Sequence, residues 1–400
     1  MKMNQLKKKM IPLAMAMALV ATGFAGNLAV QKTAFAEETP KTLIIKKVLT
    51  MPSEGVATPA ETFNFEFTKV SFNGKTENVD TCPAIANAKA EYVASDTQDA
   101  DDTKAGKQVV KTTGDVLTGV AWTKAGQYVY KVKEVEPSQT QRKAGMTYSK
   151  AEYLVSIFVE GTKDGKFKVK SIQIKQDKKE DGTNDTSTTK TEYTPGDPSG
   201  NGNNFAFENK YFPTGGNSNP TTGDSDDDKK GLLVKKDVTG DNASDTQLFE
   251  FKIKIEKPAG ADDKVTTYKY KVTKEDGTDM SEEKTGTYKN EETFKLAKGH
   301  KLVLTEVLLG AKATVTETDS AGYTAKYKVT SNGIAGSETD GTVASALLGD
   351  NTGGNIIAFT NTQQTPTGVI IDNLPFIILV AIAGMGILFF VRNKRRAEEF

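Results

Sequence analysis

Apolar residues recur at every second position in several short stretches of this 400-residue chain. In FNFEF, Phe63, Phe65 and Phe67 fall on one side; in YLVSIFVEG, Tyr153, Val155, Ile157 and Val159 do the same. FEFKIKIE repeats the pattern with Phe249, Phe251, Ile253 and Ile255. Half-buried antiparallel strands require this two-residue period, because successive strand side chains point to opposite faces. GTKDG at 161–165 reads as a hairpin loop. No segment between the two termini keeps a long helical period, although TCPAIANAKAEYVA has room for a short helix. Many short strands punctuated by turn signals predict an all-β chain of immunoglobulin-like sandwiches.

The alternation stops between Asn209 and Lys229, where KYFPTGGNSNPTTGDSDDD is dominated by Pro, Gly, Asn, Ser and Asp. Such a stretch predicts a linker, 213–229, between an N-terminal domain at 40–212 and a C-terminal domain at 230–363. The two domains share a plan. Each opens on a strand with a doubled lysine, LIIKKVLT and LLVKKDVTG. Each has a later strand ending in glutamate, YVYKVKEV and AKATVTET, and each closes on a strand ending in asparagine, NFAFEN and NIIAFTN.

The two ends of the chain follow other rules. Lys2, Lys7, Lys8 and Lys9, a short apolar run and then Ala34-Phe35-Ala36 predict an export signal over 1–36. At the other end an apolar stretch, 369–391, predicts a membrane-spanning helix, and the basic tail 392–400, with Arg392, Lys394, Arg395 and Arg396, would stay cytoplasmic. Acids and bases balance at 52 each, which argues against a nucleic-acid partner. An exported protein with one cysteine, Cys82, has no internal disulfide, and with one histidine, His300, it lacks the clusters that build zinc sites or Cys–His nucleophiles. No metal and no cofactor are expected, and a surface enzyme is disfavoured.

The strand period also places polar groups indoors. Lys47 shares a face with Leu43, Ile45 and Leu49; Glu134 with Tyr128, Tyr130 and Val132; Asn209 with Phe205 and Phe207. The second domain repeats this: Lys236 goes with Leu232, Val234 and Val238, Glu317 with Ala313 and Val315, and Asn361 with Ile357 and Phe359. Buried charges need partners. One solution is a buried Lys–Glu ion pair with a hydrogen-bonded asparagine. The other is a Lys–Asn isopeptide bond: burial favours a neutral amine and a neutral carboxylic acid, the first a nucleophile, the second a proton carrier as ammonia leaves. Lys46, which lies with Ile44 and Val48, rivals Lys47; Lys235 lies with Asp237 and is the weaker alternative to Lys236.

The C-terminal combination of pentapeptide, apolar run and basic tail resembles the sortase cell-wall sorting signal of Gram-positive bacteria. The family pattern is Leu-Pro-x-Thr-Gly; here Gln364, Thr365, Pro366, Thr367 and Gly368 keep the proline, threonine and glycine and depart at the leucine position and in spacing. The resemblance implies cleavage between Thr367 and Gly368, the Thr367 acyl group passing to sortase and then to an amine. Phe212-Pro213-Thr214-Gly215 looks similar, but no apolar run follows it, so it reads as a turn.

Taken together, export signal, sorting tail and two Lys…Glu…Asn series resemble the streptococcal-type major pilin, the fimbrial backbone subunit of Gram-positive bacteria. That family implies two tandem CnaB/FctA-type sandwiches, isopeptide cross-links Lys47–Asn209 and Lys236–Asn361, and Glu134 and Glu317 as catalytic acids. It implies a precursor transiently anchored in the membrane, then a place in a covalent homopolymer at the cell wall. The partners implied are sortase, neighbouring pilin subunits, peptidoglycan, and minor pilins or host ligands. The acceptor amine is expected shortly before the last strand of the N-terminal domain, where Lys190 is the nearest match, with Lys175, Lys178 and Lys179 further back. A wall-anchored adhesin that never polymerises fits the same features. Each cross-link would close a loop of about 162 or about 125 residues, worth on the order of 4–5 kcal/mol by analogy with disulfides.

Overall fold

The computed structural model describes residues 41–187, 189–194, 205–219, 225–363 and 374–397. The expected export signal at 1–36 and the pentapeptide Gln364–Gly368 lie outside these residues. From Pro40 onward the chain clusters as one compact unit, and it is almost entirely β.

In the N-terminal half, the alternating stretches form two facing sheets. One has the strand order Lys107–Thr112, Lys46–Met51, Ala206–Tyr211, Met146–Thr147. The other runs Ala88–Tyr92, Glu61–Phe72, Gly126–Glu134, Glu152–Gly161, Phe167–Lys178, Thr191–Glu192. Phe63 and Phe65 are buried as their period predicts, while Phe67 is only half-buried, ahead of a register shift between Lys69 and Ser71. The 161–165 loop is a hairpin: Thr162 N–H donates to the Lys166 carbonyl at 2.7 Å, and Gly165 takes φ +75°, a region glycine enters without strain. The short helix expected within TCPAIANAKAEYVA is not formed. That stretch carries the strand Ala88–Tyr92, since Ala90 and Tyr92 are buried while Lys89 and Glu91 face solvent, a period of two; a 3-10 turn, Thr76–Thr81, precedes it.

The C-terminal half repeats the architecture. One sheet has Lys284–Thr287, Thr267–Lys274, His300–Leu308, Leu233–Thr239, Ile356–Thr362, Thr324–Ser331 and Ile334–Ala335 in order; the facing sheet has Glu291–Leu296, Phe249–Glu256, Lys312–Asp319 and Val343–Leu347. The proline- and glycine-rich segment between the halves contributes two elements of its own. Thr214–Gly215 pairs with the strand His300–Leu308, and Asp226–Lys230 is a short helix whose first turn is capped by Ser225. The two halves touch through Asp350, whose carboxylate accepts the Ala57 N–H at 3.0 Å and whose own N–H donates to Gly55 at 2.9 Å.

In both halves the first and last strands are parallel neighbours. Lys47 lies opposite Phe207 and Leu49 opposite Asn209; Lys236 lies opposite Phe359 and Val238 opposite Asn361. Lysine and asparagine are therefore offset by two residues in each domain and point the same way. Leu374–Ala397 is a helix with Phe376, Leu379, Phe389 and Phe390 exposed. Among the described residues no helix is long and apolar enough to cross a membrane; the expected span 369–391 begins outside them.

Candidate functional site: two buried lysine–glutamate–asparagine clusters

The inward parity of the first and last strands puts Lys47 and Asn209 at the centre of the N-terminal sandwich, both with no solvent exposure. Glu134, at the end of a strand in the opposite sheet, reaches across to them. Lys47 Nζ lies 2.9 Å from Glu134 Oε2, and Asn209 Nδ2 donates to Glu134 Oε1 at 2.7 Å. Lys47 Nζ also donates to the Phe207 carbonyl at 3.2 Å and sits 4.7 Å from the Phe63 ring centre. Lys46, the alternative, is exposed, whereas Lys47 is buried.

The second cluster uses equivalent positions. Lys236 Nζ donates to Glu317 Oε1 at 3.1 Å, and Asn361 Nδ2 donates to the same oxygen at 2.6 Å. Lys236 Nζ stands 4.2 Å from the Phe249 ring. Lys235 instead turns outward and pairs with Glu275 at 3.1 Å. Aromatic supports match too: Phe65 packs on Phe207 and Phe251 on Phe359, with ring centres 5.0 and 5.2 Å apart. Phe65 and Phe251 pair directly with Glu134 and Glu317 across the sheet, so the same strand alternation places acid and packing aromatic in both halves.

Burial dominates the electrostatics. It pushes the Lys47 amine below the ordinary lysine range, partly offset by Glu134 beside it, and raises the Glu134 carboxyl, partly offset by Lys47. Burial lowers the Lys236 amine to about 8, against the pull of Glu317. Both shifts in the first cluster favour a neutral amine beside a neutral acid, the state in which an amine attacks a carboxamide and a carboxyl shuttles the proton.

Two further groups join the first cluster. The Ser149 backbone N–H donates to Asn209 Oδ1 at 2.7 Å. It orients the carboxamide and stands where negative charge would develop during attack at Cγ. Asn361 Oδ1 is buried with no hydrogen-bond partner among the described residues. Glu180 accepts the Glu208 N–H at 3.1 Å, and burial raises its carboxyl while Lys47 draws it back. Neither Ser149 nor Glu180 was marked by the sequence pattern: both sit just outside regular strands, where no period applies. A cleft of about 330 Å³, lined in part by Glu134, Ser149, Lys150 and Glu152, opens beside this cluster.

The remaining candidates are scattered. Lys190 is exposed beside the edge strand Thr191–Glu192; Lys178 is bonded to Glu152 at 2.7 Å. Thr214 and Gly215 of the decoy sequence pair with Leu308 and Val307. Cys82 is buried and its thiol donates to the Ser71 carbonyl; His300 Nδ1 accepts from the Ala297 N–H. Among the described residues no group of His, Cys, Asp or Glu is arranged to hold a metal ion.

Residues 43–212 match the family model described as FctA, a Spy0128-like isopeptide containing domain, and residues 230–363 match a domain of unknown function, DUF7601. No curated protein matches the chain. Among solved structures, the major pilin from Streptococcus pyogenes is 20 % identical, with 81 % of this chain and 99 % of that chain covered and a TM-score of 0.34. A second S. pyogenes major pilin, T-13, is 18 % identical over 81 % and 98 %, TM-score 0.31. A pilus-presented adhesin, Spy0125, is 12 % identical over 80 % and 100 %, TM-score 0.23. The family match, not these distant likenesses, carries the conclusion. Residues 43–212 thus match the Spy0128-like isopeptide containing domains, which supports the resemblance to Gram-positive pilins read from the sequence.

Proposed function

We propose that the chain is the backbone subunit of a sortase-assembled cell-surface pilus, held rigid by two autocatalytic isopeptide bonds, Lys47–Asn209 and Lys236–Asn361. The observation that carries this reading is the duplication: two amine–acid–carboxamide clusters, each bridging the first and last strands of its own sandwich through a glutamate of the facing sheet. In each, the neutral amine attacks the asparagine Cγ. Glu134 or Glu317 takes the proton from Nζ and delivers it to the departing nitrogen, and ammonia leaves. The cleft beside Glu134 and Ser149 gives it a way out of the first domain. Each bond forms once, so the chain modifies itself rather than turning over a substrate.

Joining of subunits follows the sorting signal: Thr367 is passed by sortase to a lysine of the next subunit, with Lys190 as the candidate acceptor, and the last subunit to peptidoglycan. Lys190 is exposed and free of strand packing, as an acceptor must be. Host ligands and minor pilins remain partners of the family kind only. Peptide mapping of the purified full chain tests the core of this reading. Branched peptides joining Lys47 to Asn209 and Lys236 to Asn361, together about 34 Da short of the unmodified sum, are expected. Linear peptides with intact asparagines would remove the bond assignment.

A further inference from the structure

A third set of the same residue types lies where the chain passes from one sandwich to the next. Lys301, on the strand His300–Leu308, and Asp228, on the helix Asp226–Lys230, are both fully buried. Lys301 Nζ lies 3.9 Å from Asp228 Oδ2. The other carboxylate oxygen, Oδ1, accepts from Asn217 Nδ2 at 2.7 Å. One carboxylate is thus held between an amine and a carboxamide, each on its own oxygen, as Glu134 is held between Lys47 and Asn209. The likeness extends to the carbonyl side. Asn217 Oδ1 accepts the Asn219 backbone N–H at 3.0 Å, the role that Ser149 N–H plays for Asn209.

The backbone brings these three together from separate elements. Thr214–Gly215 pairs along the strand that carries Lys301, and glycine is required there. A Cβ on Gly216 would lie 2.5 Å from the Leu304 carbonyl oxygen, and one on Gly215 would collide with the Lys230 carbonyl. With no side chain at either position, the segment lies flat between strand and helix and delivers Asn217 to Asp228.

We infer that Lys301 and Asn217 become joined by a third isopeptide bond, with Asp228 as the proton carrier. This rests on the amide-forming chemistry proposed for the two sandwiches. The Lys301 amine adds through its Nζ lone pair to Asn217 Cγ; Asp228 accepts a proton from Nζ and hands one to Nδ2; the Cγ–Nδ2 bond breaks and ammonia leaves. The new bond fastens the interdomain segment to the sheet of the second sandwich, upstream of Lys236, where tension from the neighbouring domain arrives.

Tryptic mapping of the full chain separates this bond from the other two. A linked Lys301 blocks cleavage there, so residues 211–229 are expected as a branched peptide with 299–312, about 17 Da below the sum of the two. The denatured chain should then be about 51 Da light in all. The Lys236–Asn361 branched peptide in the same digest is the control. If it is present while 211–229 runs as a linear peptide with intact Asn217, the third bond is overturned and the proposed function stands. If both branched species are missing, the chemistry fails in common. Lys301→Arg should return 211–229 to the linear form and leave the Lys236–Asn361 peptide in place; persistence of a branch at Asn217 in that variant would overturn Lys301 as the donor.

Discussion

Under the proposed chemistry, one buried amine, Lys236, serves two states of the protein. Before the bond forms, burial holds it near a pKa of about 8, against 10.5 for an ordinary lysine. Asn361→Ala would trap that state. Between about pH 8 and pH 10.5 the unfolded chain binds the proton and the folded one does not, so stability of the trapped domain should rise with pH through this window. Below pH 8 both forms are protonated and the burial penalty is present in full. A thermal midpoint that falls from pH 8 to pH 10 would contradict the assignment. Glu317→Ala removes the proposed proton carrier: one ammonia should be retained and the C-terminal domain should melt roughly 10–20 °C lower, from the lost cross-link. Intact mass and calorimetry read both, and a mass deficit unchanged from the parent would clear Glu317 of the role. Lys47→Ala should abolish the first branched peptide, whereas Lys46→Ala should leave it untouched, because Lys46 faces solvent.

At the scale of strands, the two clusters share the offset of lysine and asparagine and differ at the carboxamide oxygen. The Ser149 N–H meets Asn209 Oδ1, but no described group meets Asn361 Oδ1. Preorganised donors of this kind are worth roughly 100-fold or more in rate. The Lys47–Asn209 bond should therefore form on the order of 100-fold faster than Lys236–Asn361, followed by quenched digests after cell-free synthesis; equal half-times would deny Ser149 this part. Strand parity made the lysines, glutamates and asparagines legible in the sequence, because each lies within or at the end of an alternating run whose other members are apolar. It left Lys46 and Lys47 unresolved, since Leu43, Ile44 and Ile45 are apolar on both faces. Only the facing sheet decides which side is inside. Ser149, Glu180 and the pairing of Thr214–Gly215 were not legible, because turns and short bridges carry no period, and proline- and glycine-rich stretches read as linker whether or not they dock.

For the molecule as a whole, both halves repeat one topology in which entry and exit strands run side by side in the same direction. Polymerised subunits should appear as a ladder of SDS-resistant species in cell-wall extracts. Lys190→Ala should collapse the ladder to the single subunit while leaving both branched peptides in place; a full ladder in that variant would move the acceptor to another lysine. An anchored adhesin would give no ladder with either chain.

The parallel entry and exit strands also determine how much slack a subunit holds. Pulled from its ends, an unbridged chain between Lys47 and Asn361 would run out to roughly 1,000 Å at about 3.3 Å per residue. With each bridge closed, the long loops drop out of the line of pull. Between the two bridges only the connecting stretch from Asn209 to Lys236 can lengthen, by less than about 100 Å. A fibre of such subunits would behave as a stiff cable, giving a little at each joint and nowhere else.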